Sequence, residues 1–231
     1  MREEAVRFAA LGIPVIPLWG ITDDGECSCN KAGACTSPGK HPRWPGWQRT
    51  SANTFVADGY FSFFEESNTP ANIGLRLIEA GLAVIDVDSE EGADLLEDLV
   101  APDVLAQMPA ARTGRGMHYF IRTNRRPGTI GPGLEIKSEN VVAPPSRHAD
   151  GGVREWLPGR GLVSLDQVPP LPGVLSKRLV AGESGSTTRT GTRQSESTGS
   201  ITIISWETIA KMLLDRNVPE ELVNKHILGA S

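Results

Sequence analysis

The chain has 231 residues, 39% of them hydrophobic, and a net charge of -5, enough apolar material for one sizeable domain but too acidic to hold nucleic acid by bulk positive charge. It contains no run of eighteen apolar residues and no signal-peptide pattern, which speaks against a membrane span and leads us to expect a cytoplasmic protein.

The charged start, Met1-Arg-Glu-Glu-Ala-Val-Arg-Phe, reads as a short amphipathic helix ending near Gly12, and Gly12-Ile-Pro-Val-Ile-Pro-Leu18 reads as the strand after it. All three cysteines then fall within nine residues, as Cys27, Cys29 and Cys35, with His41 six positions later. An odd count is a poor disulfide framework. The small and turn-forming residues between them suit a loop folded around an ion. Three thiolates and one imidazole make a closed tetrahedral set for structural Zn²⁺, with free reduced thiols as the alternative.

Residues 51–66 suit a helix with aromatic packing from Tyr60, Phe61, Phe63 and Phe64. Strands are expected at Asn72–Leu77, Leu82–Asp88, Met117–Arg122, Leu134–Lys137 and Asn140–Ala143, with a helix near 90–100. The fold class is therefore α+β, a mixed pattern with short, mostly antiparallel strands late in the core. From Gly182 to Thr202, fifteen of twenty-one residues are Gly, Ser or Thr, too polar to order themselves. We expect one domain over 1–172, a flexible linker over 173–203, and a helical segment over 204–231 that docks on the core or begins a further domain.

The strand Leu82–Asp88 ends in two carboxylates two residues apart. Side chains alternate along a strand, so Asp86 and Asp88 point the same way while Ile85 and Val87 enter a core. Two like charges on one face are most readily kept by a divalent cation, and oxygen ligands suit Mg²⁺ or Mn²⁺. The alternative is that one carboxylate, or Ser89, caps the next helix. The same parity puts His118 and Arg122 on one face of their strand, and Glu135 and Lys137 on one face of theirs. Side by side, these strands would carry three carboxylates, an imidazole and a lysine on one open sheet face, unless the pattern is only that of an exposed antiparallel sheet. Arg112 to Arg126 holds five arginines and no acid, an anion-attracting segment or a solvated face. Thr113-Gly-Arg-Gly116 has the glycines that let backbone amides approach a phosphate. Val141-Val-Ala-Pro-Pro-Ser-Arg-His148 presents Ser146 and His148 on a stiff loop or merely ends a strand.

Taken in order, Gly12–Leu18, Gly39-Lys-His-Pro42, Asn72-Ile-Gly74, Val84-Ile-Asp-Val-Asp88, Thr113-Gly-Arg-Gly-Met-His118, Glu135 and Val142-Ala-Pro-Pro-Ser-Arg-His148 resemble the bifunctional DNA primase/polymerase domain of the archaeo-eukaryotic primase superfamily. The resemblance spans about residues 5–160. It implies an RNA-recognition-motif-like catalytic sheet packed with an N-terminal α/β unit, and template-dependent nucleotidyl transfer that makes and extends primers on single-stranded DNA by a two-metal mechanism. Asp86 and Asp88 match the paired metal-binding acids, His118 matches the histidine on the nucleotide phosphates, and Glu135 falls where the third acid, often Asp, is placed. Gly116-Met117-His118 stands where many members have Gly-Gly-His. The resemblance also implies nucleoside triphosphates as substrates, with Thr113, Arg115, His118 and Lys137 at the triphosphate and Asn72 and Ser146 lining the nucleotide pocket. Arg122, Arg125 and Arg126 would follow the template, and a fused or associated helicase would act in a plasmid, phage or mobile-element replicon. The alternative is a non-catalytic single-stranded-DNA or origin-binding module on the same fold.

Overall fold

The computed structural model describes residues 1–182. Helix α1 (Arg2–Ala10) has Glu3 and Glu4 in its first turn and Arg7 in its last, matching the helix dipole, and buries Ala5, Phe8 and Ala9. Gly12, at φ +83, turns the chain into β1 (Val15–Trp19). Helix α2 (Thr54–Glu66) is capped by Asn53, whose side-chain oxygen accepts from Val56 N at 3.0 Å. Its buried Phe61 and Phe64 pack with Phe8 of α1. Strands β1, β2 (Ala71–Leu75) and β8 (Val141–Ala143) form a three-stranded antiparallel sheet in the order β1-β2-β8.

The second sheet has six strands in the order β6-β7-β3-β5-β4-β9, all paired antiparallel. They are β3 (Leu82–Val87), β4 (Ala110–Arg112), β5 (Met117–Arg122), β6 (Gly128–Gly131), β7 (Leu134–Lys137) and β9 (Glu155–Trp156). Both of its faces are covered. On one, Leu82, Val84 and Phe120 meet Phe8, Phe61, Ile73 and Leu75. On the other, Ala83, Ile85, Val87, Ile121, Leu134 and Ile136 meet α3 (Glu90–Leu99), α4 (Pro102–Ala106) and α5 (Gly173–Gly182) through Leu96, Leu105, Leu175 and Leu179. The fold is α+β with antiparallel sheets, as expected. The face expected to be open is instead half core, because the N-terminal layer covers its apolar end.

Residues 173–182, read from sequence as linker, form α5, with Leu175 and Leu179 buried against the six-stranded sheet. The rest of the expected linker and the helical segment at 204–231 lie outside the described residues.

Candidate active site

Strand β3 runs between β7 and β5, and its register sets Asp86 opposite Glu135 on one side and His118 on the other. Directly opposed residues share a face. These groups therefore crowd one end of the face whose other end, Val84 and Phe120, lies in the core. Lys137 opposes Val84, diagonal to Asp86. Its ammonium bonds Asp86 Oδ2 and lies 3.3 Å from Glu135 Oε2 and 3.6 Å from Asp88 Oδ2. Asp86 is only 3% exposed, whereas the Asp88 side chain, just past the strand, is 51% exposed. Neither aspartate caps α3. Ser89 does, its Oγ accepting from Gly92 N at 3.1 Å, so the helix-cap alternative for the pair falls away.

His118 Nε2 lies 3.0 Å from Asp86 Oδ1 but off the line of a good hydrogen bond, and Asp86 Oδ1 and His118 Nδ1 are both buried without an aligned partner. Burial by itself raises the Asp86 carboxyl, but His118 and then Lys137 outweigh it and carry it down to about 2. Asp86 is thus an anion over the whole ordinary pH range. Burial pulls the Lys137 ammonium down, and the three carboxylates around it more than reverse that.

Asp86, Asp88, His118 and Lys137 line a cleft of about 240 Å³ together with Lys40, Thr113, Gly114, Arg115, His148 and Arg154, while Glu135 reaches it only through Lys137. Four basic side chains, Lys40, Arg115, Lys137 and Arg154, stand against the carboxylates of Asp86 and Asp88 in its lining. Thr113 and Arg115 sit on the tight turn before β5, where Thr113 N donates to Gly116 O at 2.9 Å and Gly116 N donates to Thr113 Oγ1 at 3.0 Å. Both glycines are also required by packing. A Cβ at Gly116 would lie 1.7 Å from Val87 O, and one at Gly114 would lie 2.7 Å from His148 Nδ1. His148 is held by Asp150, whose Oδ1 lies 2.8 Å from Nδ1.

Asn72 and Ser146, expected in the nucleotide pocket, are fully buried and committed to backbone. Asn72 Nδ2 donates to Gly39 O at 2.9 Å and Arg147 O at 2.8 Å, and its Oδ1 accepts from Arg147 N at 3.0 Å. Ser146 Oγ accepts from Ile73 N at 2.9 Å. Both fix the loops that carry Lys40 and Arg154, and neither lines the cleft. Arg122 lies at the other end of β5 from His118, about 13 Å along the strand. With Arg125 it borders a separate shallow basin beside Pro170 and Leu171, and Arg126 follows in the same loop before β6. Arg154 and Lys40 line the cleft beyond the residues expected from sequence. For Lys40 the signal was present, in Gly39-Lys-His-Pro42; for Arg154 there was none short of knowing which ribbon returns it to the cleft.

Cys27, Cys29, Cys35 and His41 converge as the spacing predicts, with one ligand atom from each lying within 4.8 Å of the others. His41 Nε2 is 3.5 Å from Cys27 Sγ and 3.4 Å from Cys35 Sγ. A tetrahedral site with metal–ligand bonds near 2.0–2.3 Å has edges of about 3.6 Å, so this group could hold one such ion.

The carboxylate group also fits a metal. Three carboxylates already surround one cation, the Lys137 ammonium, and Asp86 keeps an oxygen free of any aligned donor. An anionic, all-oxygen donor set suits Mg²⁺ or Mn²⁺. Among the described residues no helix is long and apolar enough to cross a membrane. No curated protein and no solved structure matches the chain. The family of bifunctional DNA primase/polymerase N-terminal domains matches residues 5–174, nearly the whole described fold, and the chain belongs to that family.

Proposed function

We propose that this domain makes primers and extends them on single-stranded DNA, using Mg²⁺ or Mn²⁺ and nucleoside triphosphates, within a plasmid, phage or other mobile-element replication protein. The observation that carries the reading is the convergence of Asp86, Asp88 and Glu135 on a single cationic position inside a cleft otherwise rich in basic groups. Divalent ions bound by these three acids would lower the pKa of the attacking 3′-hydroxyl and offset the charge that builds on the leaving pyrophosphate.

The chain's own residues supply the rest. Asp86 stays ionised because of its neighbours, so its charge is present before any substrate arrives. His118 is held on the floor of the cleft beside Asp86 and can donate to a phosphate oxygen. Arg115, on the exposed turn before β5, can close over the triphosphate, and Thr113 offers a hydroxyl beside it. Lys137 neutralises the carboxylates when no metal is bound, and would turn to the phosphates when one is. Arg122, Arg125 and Arg126, away from the cleft, would contact the template backbone, a contribution weakened by salt. The Cys27, Cys29, Cys35 and His41 group would hold a structural Zn²⁺ that shapes the loop leading to Lys40.

The test is incorporation of labelled nucleotides on single-stranded DNA, with and without a pre-formed primer. The double variant Asp86→Ala/Asp88→Ala should lose incorporation while circular dichroism shows the fold retained. Synthesis that persists in this variant would sink the assignment. Salt-sensitive DNA binding by the wild type without any incorporation would favour a binding module.

A further inference from the structure

Positive charge holds a single strand and a duplex alike, whereas stacking on an aromatic ring requires an unpaired base. Neither the cleft nor the basin beside Arg122 has a Phe, Tyr or Trp in its lining. Such a ring lies just outside the cleft, in a stretch of opposite charge to the protein as a whole. From Cys27 to Ala57 the chain carries Lys31, Lys40, Arg43 and Arg49 and no Asp or Glu, with Trp44 and Trp47 between the last two. Trp44 packs on Tyr60, ring centroids 4.6 Å apart, and joins the core of the N-terminal layer. Trp47 does not.

The segment that carries it is held at both ends. Residues 41–43 run beside β1, where Trp19 N donates to His41 O and Arg43 N donates to Pro17 O, each at 3.1 Å. The Arg43 guanidinium lies over Trp19 and Phe64, 4.4 and 4.5 Å from their ring centroids. Gly46, at φ +82, then turns the chain into a single 3-10 turn, Trp47–Arg49, and Arg76 Nη1 donates to Thr50 O at 3.4 Å just beyond it. The Trp47 indole is thereby laid on the outer face of the three-stranded sheet, against Ile16, Leu18 and Val142. Val142 also lines the cleft, as does Asn140, whose Nδ2 donates to Lys40 O at 2.9 Å. The ring thus stands one residue away from the cleft. It stays partly exposed, and Gln48 and Arg49 after it are exposed. Among the described residues no carboxylate pairs with Arg49.

We propose that Trp47 and Arg49 form a platform for unpaired DNA beside the cleft, where a base stacks on the indole and a neighbouring phosphate meets the Arg49 guanidinium. The platform gives the domain its choice of single strand over duplex, which phosphate contacts at Lys40 or Arg122 do not supply. Because every base has a π face, the contact is tolerant of sequence. The proposal rests on the reading of the cleft as a site that works on single-stranded DNA.

The experiment measures, by fluorescence anisotropy on the full chain without metal or nucleotide, binding of a labelled thymidylate strand of about twelve nucleotides and of an abasic strand of the same length and charge. Wild type should bind the thymidylate strand about 5- to 100-fold more tightly than the abasic one. Trp47→Leu keeps an apolar side chain on Ile16, Leu18 and Val142; it should lose most of that preference while binding the abasic strand within about twofold of wild type. Trp47→Phe should keep most of the preference. Arg49→Gln should lower the slope of log affinity against log salt by about 0.7, the share of one phosphate on a single strand. In the incorporation assay Trp47→Leu should need correspondingly more template. Equal wild-type binding of the two strands, or a preference unchanged in Trp47→Leu, would overturn the platform, and with incorporation intact would leave nucleotidyl transfer standing. An unfolded Trp47→Leu, together with a wild-type salt slope in Arg49→Gln, would show a turn that serves the fold alone and overturn it as well. Absence of incorporation by the wild type would instead remove the proposed reaction, while the binding series still decides the platform.

Discussion

In the proposed reaction, Lys137 should make the demand for metal larger than the carboxylates alone would set. Its ammonium bonds the buried Asp86 and lies within 3.6 Å of both Glu135 and Asp88, so an entering ion must displace it. At an effective dielectric of about 20, one such pair at 3.5 Å has a gross attraction of about 5 kcal/mol. The Lys137 side chain is 41% exposed, as are Glu135 and Asp88 to a similar degree, so most of that is screened. Counting under 1 kcal/mol for each exposed partner and somewhat more for buried Asp86 leaves about 2 kcal/mol, or about 30-fold in apparent metal affinity. Lys137→Met should therefore bind Mn²⁺ between about 10- and 30-fold more tightly, read by electron paramagnetic resonance without nucleotide. In the incorporation assay the same variant should need less metal but show a higher KM for nucleotide, because the released lysine no longer helps neutralise the triphosphate. Metal binding that is unchanged or weaker in Lys137→Met would refute the reasoning.

Asp86 has its folded pKa depressed from 3.8 to about 2, so it contributes stability that is present above the unfolded value and lost as pH falls through that window. The loss is about 2 kcal/mol between roughly pH 5 and pH 2; denaturant midpoints across this range should show it in wild type, and Asp86→Asn should lack that component. Gly116→Ala should lose about 3 kcal/mol in urea unfolding and most of its incorporation, since the added Cβ would lie 1.7 Å from Val87 O and force β5 away from Asp86. Protein purified without chelator should carry one zinc per chain, and Cys35→Ser should lose that metal and melt lower; wild type free of zinc by elemental analysis would reject the site.

Much of this was legible in the sequence, and the reasons differ by element. Strands β5 and β7 occupy the residues that apolar alternation marks, because Phe120, Ile121, Leu134 and Ile136 are all core. Parity alone put Glu135 and Lys137 on one face of their strand and Asp86 and Asp88 on one face of theirs, since a period of two needs no tertiary knowledge. Register does need it: that Lys137 lies diagonal to Asp86 and reaches three acids depends on how β7 pairs with β3. Asn72 and Ser146 misled because a polar residue in or beside a strand looks the same whether it meets a substrate or ties down a loop. Helix α5 was hidden by the Gly- and Ser-rich composition just after it, although Leu175 and Leu179 already stand four apart. The Gly-x-Gly turn also answers to packing, its glycines lying against Val87 and His148, which the local sequence does not reveal.

The two-layer architecture explains how so much charge is kept beside a core. The apolar end of the shared face, Leu82, Val84 and Phe120 against the N-terminal layer, clamps the two sheets together. Beyond Val84 the sheets continue into the cleft, with Asp86 and His118 on one wall and Val141 and Val142 of β8 on the other. Lys40 comes from the loop after β1 and Arg154 from the ribbon after β8, both anchored to the three-stranded sheet by Asn72, Asn140 and Ser146. The carboxylates belong to the six-stranded sheet. In the proposed reaction a nucleotide would sit between the carboxylates of one layer and the basic loops of the other. The spacing between the carboxylates and the basic side chains of Lys40 and Arg154 is then a property of the hydrophobic clamp, and shaving Phe120 to leucine should disturb nucleotide affinity before it disturbs the carboxylates.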